Sequence, residues 1–269
     1  GREYVSRSTV PYARRTYGMD YGETEFDGID EIFPTLGACP YPAGPWEGTP
    51  MVGHGELFTA AWRRVEGRGV TLEADGVRLP YVFRRQAVLE GPALVLRYTV
   101  RNLSDEPMPF LYLFHPLLKG RTGAGLVIPD ETMVRVGPAK DTFLAEAGDV
   151  KRWSQLRDEK GRPFAEFQFA RNSGGYYKYY TDRSIGGQTA LRYSDGSGLA
   201  ITWSPDVLPY MAVWASEGGV RGLNHLAPEP AVAPQDRLDG AYRAGQAGVI
   251  PPNGTVQWWI RMELLDLKK

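Results

Sequence analysis

Apolar and polar residues alternate with a period of two over several stretches of the chain. Leu94, Leu96, Tyr98 and Val100 fall on one side of an extended segment, with Arg97, Thr99 and Arg101 on the other. Leu199, Ile201 and Trp203 alternate with Ala200, Thr202 and Ser204. Val256, Trp258, Ile260, Met262 and Leu264 alternate with Thr255, Gln257, Arg261 and Glu263. Successive side chains of a strand point to opposite faces, so this spacing predicts strands with one buried and one wetted face. By the same phase Trp258 belongs to the core. Turn-forming sequences punctuate the runs: Asp75-Gly76, Asn102 to Asp105 followed by Pro107, Asp195 to Gly198, and Pro251 to Gly254. Asn-Gly and Asp-Gly accommodate positive φ, which marks hairpins. Helical periodicity is confined to a short turn within 149–161, and long loops are expected at 27–53 and 170–190. The chain reads as all-β, one large antiparallel β-sandwich domain over residues 1–269.

Composition narrows the function classes. A length of 269 residues suits one such domain, since sandwiches reach roughly 200–250 residues undivided. The net charge of −1 lacks the basic excess of a nucleic-acid surface. No apolar run approaches the ~18–20 residues of a membrane-spanning helix. Cys39 is the single cysteine, which excludes an internal disulfide or a thiolate zinc cage. Neither nucleic acid nor membrane is expected as a partner. Oligomeric state is left open, as is localisation, with a cytoplasmic setting favoured.

Three histidines occur: His54, His115 and His225. His54 lies in Gly53-His54-Gly55-Glu56-Leu57, where flanking glycines let backbone approach a ligand. His115 closes the apolar run Pro109 to Phe114 and is followed by Pro116, which stops or edges a strand. Glu229 sits between Pro228 and Pro230, which restrict the backbone on both sides and hold the carboxylate in one direction. Asp30 is the best placed polar contact in the acidic run Asp27 to Glu31. Seven Trp and fifteen Tyr are many for this length. Aromatic planes suit the C–H faces of pyranoses, and Trp62, Trp203 and Trp214 are candidates. Tyr176, Tyr177, Tyr179 and Tyr180 form a candidate rim. No Gly-x-Ser-x-Gly elbow supports a serine hydrolase.

These segments together resemble a known family. Gly28 to Thr35, His54 to Leu57 with Trp62, Leu96 to Pro109, His115-Pro116 and Pro228-Glu229-Pro230 match the aldose 1-epimerase (galactose mutarotase-like) family in order and spacing, from about residue 27 to the end. The resemblance implies a β-sandwich of the supersandwich type with an open carbohydrate site on a concave sheet. It implies Glu229 as general base, His115 as general acid near its ordinary pKa, and His54 as a binder of sugar hydroxyls. Glu56, Trp62, Asp30, Trp214 and Arg63 complete the expected substrate-binding set, and neither metal nor organic cofactor is required. Further strands are implied ahead of Asp27, so the N-terminal edge is expected to be incomplete or rebuilt.

In the hexose-6-phosphate branch an Arg follows the His-Gly histidine by four residues. Here Phe58 stands in that place, which favours an unphosphorylated sugar, although Arg63 and Arg64 follow closely. The expected partner is therefore a small-molecule sugar whose anomers the protein interconverts. Two alternatives stand beside this reading. One is a non-catalytic carbohydrate-binding protein of the same fold. The other is a lyase or glycosidase on a related sandwich, for which Glu56 is the only second acid to propose.

Overall fold

A computed structural model describes residues 3–8, 10–121, 123–137, 147–157, 163, 166–167 and 174–266. Among these, two large antiparallel sheets carry most of the chain, one of nine strands and one of eight. The central part of the nine-stranded sheet runs in space Gln188–Arg192, Ser197–Trp203, Thr255–Asp266, Ala93–Asn102, Tyr81–Glu90 and Val70–Asp75. These are the segments with the clearest period-two patterns. Leu96, Tyr98 and Val100 point into the core, opposite Phe83, Trp258 and Ile260 of neighbouring strands. Trp258 is 3% exposed and Trp259 is 41% exposed, as strand alternation requires. Leu264 departs from its phase at 57% exposed, because its strand runs on to the rim of the sheet.

The eight-stranded sheet builds the functional face. Its order in space is Ile29–Ile32, Leu113–Pro116, Leu223–Ala231, Tyr210–Val220, Gly175–Thr181, Met133–Val136 and Val150–Arg152, with Leu118–Lys119 also pairing to Leu223–Ala231. Leu113, Tyr177, Tyr179, Met211 and Val213 line its core side and belong to the same apolar cluster as Phe83 and Trp258.

Two expectations are corrected here. Within 170–190, of which residues 170–173 lie outside those described, Gly175–Thr181 is not loop but a seven-residue strand in register with Ala212 to Gly218. Both of its faces are largely buried, so the polar alternation that would have marked it is missing. The segment 27–53 is likewise more ordered than expected. Ile29–Ile32 pairs with Leu113–Pro116, and Cys39–Pro40 pairs with Pro50–Met51. The short turn expected within 149–161 is the 3₁₀ turn Trp153–Gln155, and residues 158–162 lie outside those described. One α-helix, Leu238–Arg243, went unpredicted; six residues are too few to establish a helical period. No helix among the described residues is long and apolar enough to cross a membrane.

Candidate functional site

A cavity of about 400 Å³ opens on the outer face of the eight-stranded sheet. His54, His115, Glu229, Trp214, Lys178, Asp236 and Tyr21 are among the residues that line it. Glu229 projects from Leu223–Ala231, opposite Ala212 of the next strand. The flanking prolines do more than restrict the backbone. Val232 N–H donates to the Tyr112 carbonyl at 3.0 Å, so residues of the same parity aim their backbone nitrogens toward the His115 strand. Pro228 and Pro230 share that parity and have no N–H to give. The Glu229 strand therefore pairs with the His115 strand only at Ala231 and Leu113. The ladder is interrupted where the carboxylate and imidazole must approach each other from separate strands.

His115 lies near the end of Leu113–Pro116, in register with Asp30. Its Nε2 is 3.5 Å from Glu229 Oε1. Lys178 rises from Gly175–Thr181 with its Nζ 3.4 Å from Glu229 Oε2 and 2.8 Å from Asp236 Oδ1. Both Glu229 oxygens are buried and make no hydrogen bond of ordinary geometry among the described residues, the Lys178 contact being long for one. A wholly buried carboxyl held only by ion-pair contacts is a group left available.

His54 occupies a left-handed backbone position, φ 59°, and stacks on Tyr21 with ring centroids 3.7 Å apart. The next residue must be glycine: a Cβ at Gly55 would lie 2.1 Å from the Phe33 carbonyl oxygen. Tyr21 comes from a 3₁₀ turn capped by Asp20 and donates its hydroxyl to Asp30. Phe58 packs edge-on beneath Tyr21 and forms part of the wall of an aromatic stack. Trp214, half-buried, stands 6.0 Å from the His115 ring and gives the cavity its exposed aromatic plane.

Burial and neighbouring charge set the protonation states. Burial raises the Glu229 carboxyl to about 7. The Lys178 ammonium opposes that rise, and the Asp236 carboxylate adds to it. Burial also drives the His115 imidazole well below its ordinary value, with His54, Lys178 and His225 pushing the same way. This differs from the expected imidazolium near pH 6.5. A ring shut away from water beside an ammonium is held neutral despite the adjacent carboxyl. Burial and then Lys178 hold His54 down to about 3. Burial disfavours the Lys178 ammonium too, yet Glu229, Tyr180 and Asp236 together overcome this and raise its pKa.

Four residues expected at the site are placed elsewhere. Glu56 is wholly buried and accepts from Val77 N–H, Arg78 N–H and the Tyr81 hydroxyl, each at 2.9 Å. Trp62 packs edge-on to Phe83 and donates its indole N–H to the Leu57 carbonyl at 3.1 Å. Arg63 lies on a two-residue edge strand and pairs with Asp75 and Glu73 at 2.5 and 3.0 Å. Asp30 sits behind Tyr21, 3.7 Å from Arg15, and burial raises it to about 6 against the pull of Tyr21 and Arg15. Among the aromatic candidates, Tyr176 reaches the cavity. Tyr180 donates to Asp236. Tyr177, Tyr179 and Trp203 are core.

Lys178, Asp236 and Tyr21 were not anticipated. A lysine inside the run Tyr176 to Tyr180 was the available signal, since a lone cation among strand aromatics needs a buried partner. Asp236 follows Glu229 by seven residues and is positioned by its own carbonyl, which accepts from Leu36 and Gly37 N–H at 3.0 and 2.7 Å. Among the described residues no cluster of His, Cys, Asp or Glu is disposed to hold a metal ion.

No protein-family model and no curated protein matches the chain. Solved structures do. A protein from Synechocystis superposes with a TM-score of 0.67 at 17% identity, over 89% of this chain and 78% of that one. A galactose mutarotase-like protein from Lactobacillus casei gives 0.64 at 17% identity, over 98% and 90%. An aldose epimerase homologue from Caenorhabditis elegans gives 0.58 at 13% identity, over 88% and 82%. At such identities the likeness shows the fold, which is the β-sandwich of aldose epimerase and galactose mutarotase-like proteins.

Proposed function

We propose that the protein interconverts the α and β anomers of a free, unphosphorylated aldose, with Glu229 and His115 as the proton-transfer pair. The observation that carries this reading is the approach of Glu229 Oε1 to His115 Nε2, 3.5 Å apart, in an aromatic-walled cavity large enough for a monosaccharide. The reaction needs little else. The proton of the anomeric hydroxyl goes to Glu229, and His115 delivers a proton to the ring oxygen as the C1–O5 bond breaks. The open-chain aldehyde turns about C1–C2, and the reverse transfers close the other anomer. Each positioned transfer contributes about 10²–10⁴-fold.

Charge favours a neutral substrate. The Lys178 ammonium is already committed to Asp236 and Glu229, and Asp20 adds a further acid to the lining. A phosphate or carboxylate on the sugar would meet no unpaired cation among the described lining residues. Polarimetry of freshly dissolved α-glucose and α-galactose tests the reading, with α-glucose 6-phosphate as control. Acceleration of a neutral sugar supports it. Acceleration of the phosphate ester alone would overturn the substrate class. Sugar binding without acceleration would favour a binding protein.

The pH dependence has a definite sign. Below about pH 7 the pair holds one proton, resting on Glu229 because His115 is held well below it. The carboxylate–imidazolium arrangement that reacts is a tautomer of that one-proton state, so both share one pH profile. Above about 7 the proton is lost. The expected kcat/KM is therefore flat through mildly acidic pH and falls about tenfold per unit above pH ~7. A rate that instead rises through 7 would mean that ionised Glu229 acts as base without a proton from His115.

Trp214 provides a separate check on the binding surface. Trp214→Ala is expected to raise KM about tenfold with kcat little changed, as for loss of one stacking plane. Initial rates over a range of sugar concentration measure it, and a fall confined to kcat would remove Trp214 from substrate binding.

A further inference from the structure

The Glu229 carboxyl has one permanent cation facing it among the described residues. His115 and His54 face it from the neighbouring strand and from the Gly53–Gly55 turn, and both rings are held neutral. Tyr21 and Tyr180 face it as neutral hydroxyls whose ionisation burial opposes. Asp236, from the segment after the Glu229 strand, faces it as an anion. The strand on its other side presents Ala212 and Val213, which carry no charge. Lys178 alone is positive, and it is 6% exposed.

The ammonium is also fixed in place. Asp236 Oδ1 receives it at 2.8 Å, closer than the 3.4 Å to Glu229 Oε2, and the Tyr180 ring lies 5.1 Å beneath it. Asp236 is itself held by the Tyr180 hydroxyl. A lysine needed only to satisfy Asp236 could have stayed at the rim in water. This one is drawn onto the cavity wall, between two carboxyl groups of which one makes no ordinary hydrogen bond.

We propose that Lys178 is a positioning residue for Glu229: its ammonium, held on the cavity wall by Asp236, faces the buried carboxyl and stabilises its ionised form. The inference rests on Glu229 being a proton-transfer group, but its direct test does not require turnover. An opposite charge within ~4–6 Å moves a carboxyl by about 1–3 pH units, and at Glu229 this attraction offsets part of the rise that burial imposes. Asp236 acts in the opposite sense, repelling the ionised carboxyl while orienting the ammonium. Neutralising each partner should therefore shift Glu229 in opposite directions, which loss of structural support would not do.

The test is the titration of Glu229 by carbon-detected NMR of side-chain-labelled glutamate, its signal assigned by absence in Glu229→Gln. Lys178→Met is expected to move the titration upward by at least about one unit, and the alkaline limb of kcat/KM should move with it. Lys178→Arg should stay near wild type, and Asp236→Asn should move the titration downward. A folded Lys178→Met protein with unshifted Glu229 would overturn the proposal. Lys178→Gln, which keeps a polar partner for Asp236 but no charge, decides the matter if Lys178→Met does not fold, since an unshifted Glu229 there overturns the proposal equally. If wild-type protein accelerates no sugar, the functional reading fails, while the same titrations still decide the role of Lys178.

Discussion

Glu229→Gln is expected to lower the acceleration of mutarotation by about 10³-fold while leaving the protein folded and able to bind sugar. The magnitude is that of losing one positioned proton transfer, about 10²–10⁴-fold. The amide keeps the shape of the carboxyl and one acceptor oxygen, so contacts with sugar hydroxyls largely survive. It cannot take up the anomeric proton. Stability should change little, because neither Glu229 oxygen makes an ordinary hydrogen bond among the described residues. The substitution removes a desolvated ionisable group at the cost of a 3.4 Å contact with Lys178. His115→Asn is expected to fall by a similar factor. The double variant should be scarcely worse than either single one, since groups acting on one proton relay are not additive. Polarimetry beside a thermal melt separates loss of chemistry from loss of fold. Full activity in Glu229→Gln would remove the carboxyl from the reaction.

The fold was legible wherever a strand buries one face. Leu96, Tyr98 and Val100 announce themselves because Arg97 and Arg101 are wet. Gly175–Thr181 was opaque for the opposite reason. Tyr177 and Tyr179 enter the core, while Lys178 lines the cavity and Tyr180 is buried under its ammonium. With little of the segment facing water, the glycines around it suggested a loop.

The site divides along a similar line. His54, His115, Glu229 and Trp214 line one cavity, and each carries a local signature in glycine, proline or aromatic spacing. Lys178 and Asp236 come from segments 58 residues apart and have no such signature, because only the register of the sheet brings them together. Arg63, Trp62 and Glu56 follow His54 closely in sequence. The chain turns away after Gly55, however, through a 3₁₀ turn at Leu57–Thr59 toward the edge of the other sheet. Nearness to His54 along the chain therefore does not carry over to nearness in space.

Glu56→Ala should show the inverse of Glu229→Gln: a loss of stability of about 3–5 kcal/mol, with the proton chemistry of the surviving folded molecules unaltered. Glu56 lies two residues from His54, and sequence alone cannot separate its role from that of Glu229. Hydrogen bonding can. Its carboxylate closes the Asp75 to Tyr81 turn, accepting from two successive backbone N–H groups and the Tyr81 hydroxyl at 2.9 Å, with the Tyr17 hydroxyl at 3.4 Å. Hydrogen bonds to a charged group contribute about 1.5–3 kcal/mol each, and a buried donor left without a partner costs about 1–3 kcal/mol. Three strong bonds cannot be summed independently, so the expected loss lies below their simple total. Glu56→Gln should recover only part of it, because an amide turns one N–H₂ toward donors that need an acceptor. Chemical denaturation of the three proteins measures the series, and polarimetry at a temperature where all are folded measures the chemistry. An Ala variant of wild-type stability but without activity would return Glu56 to the catalytic machinery. The opposite pattern would mean that of two wholly buried glutamates, the one rich in hydrogen bonds maintains the fold and the one poor in them exchanges protons.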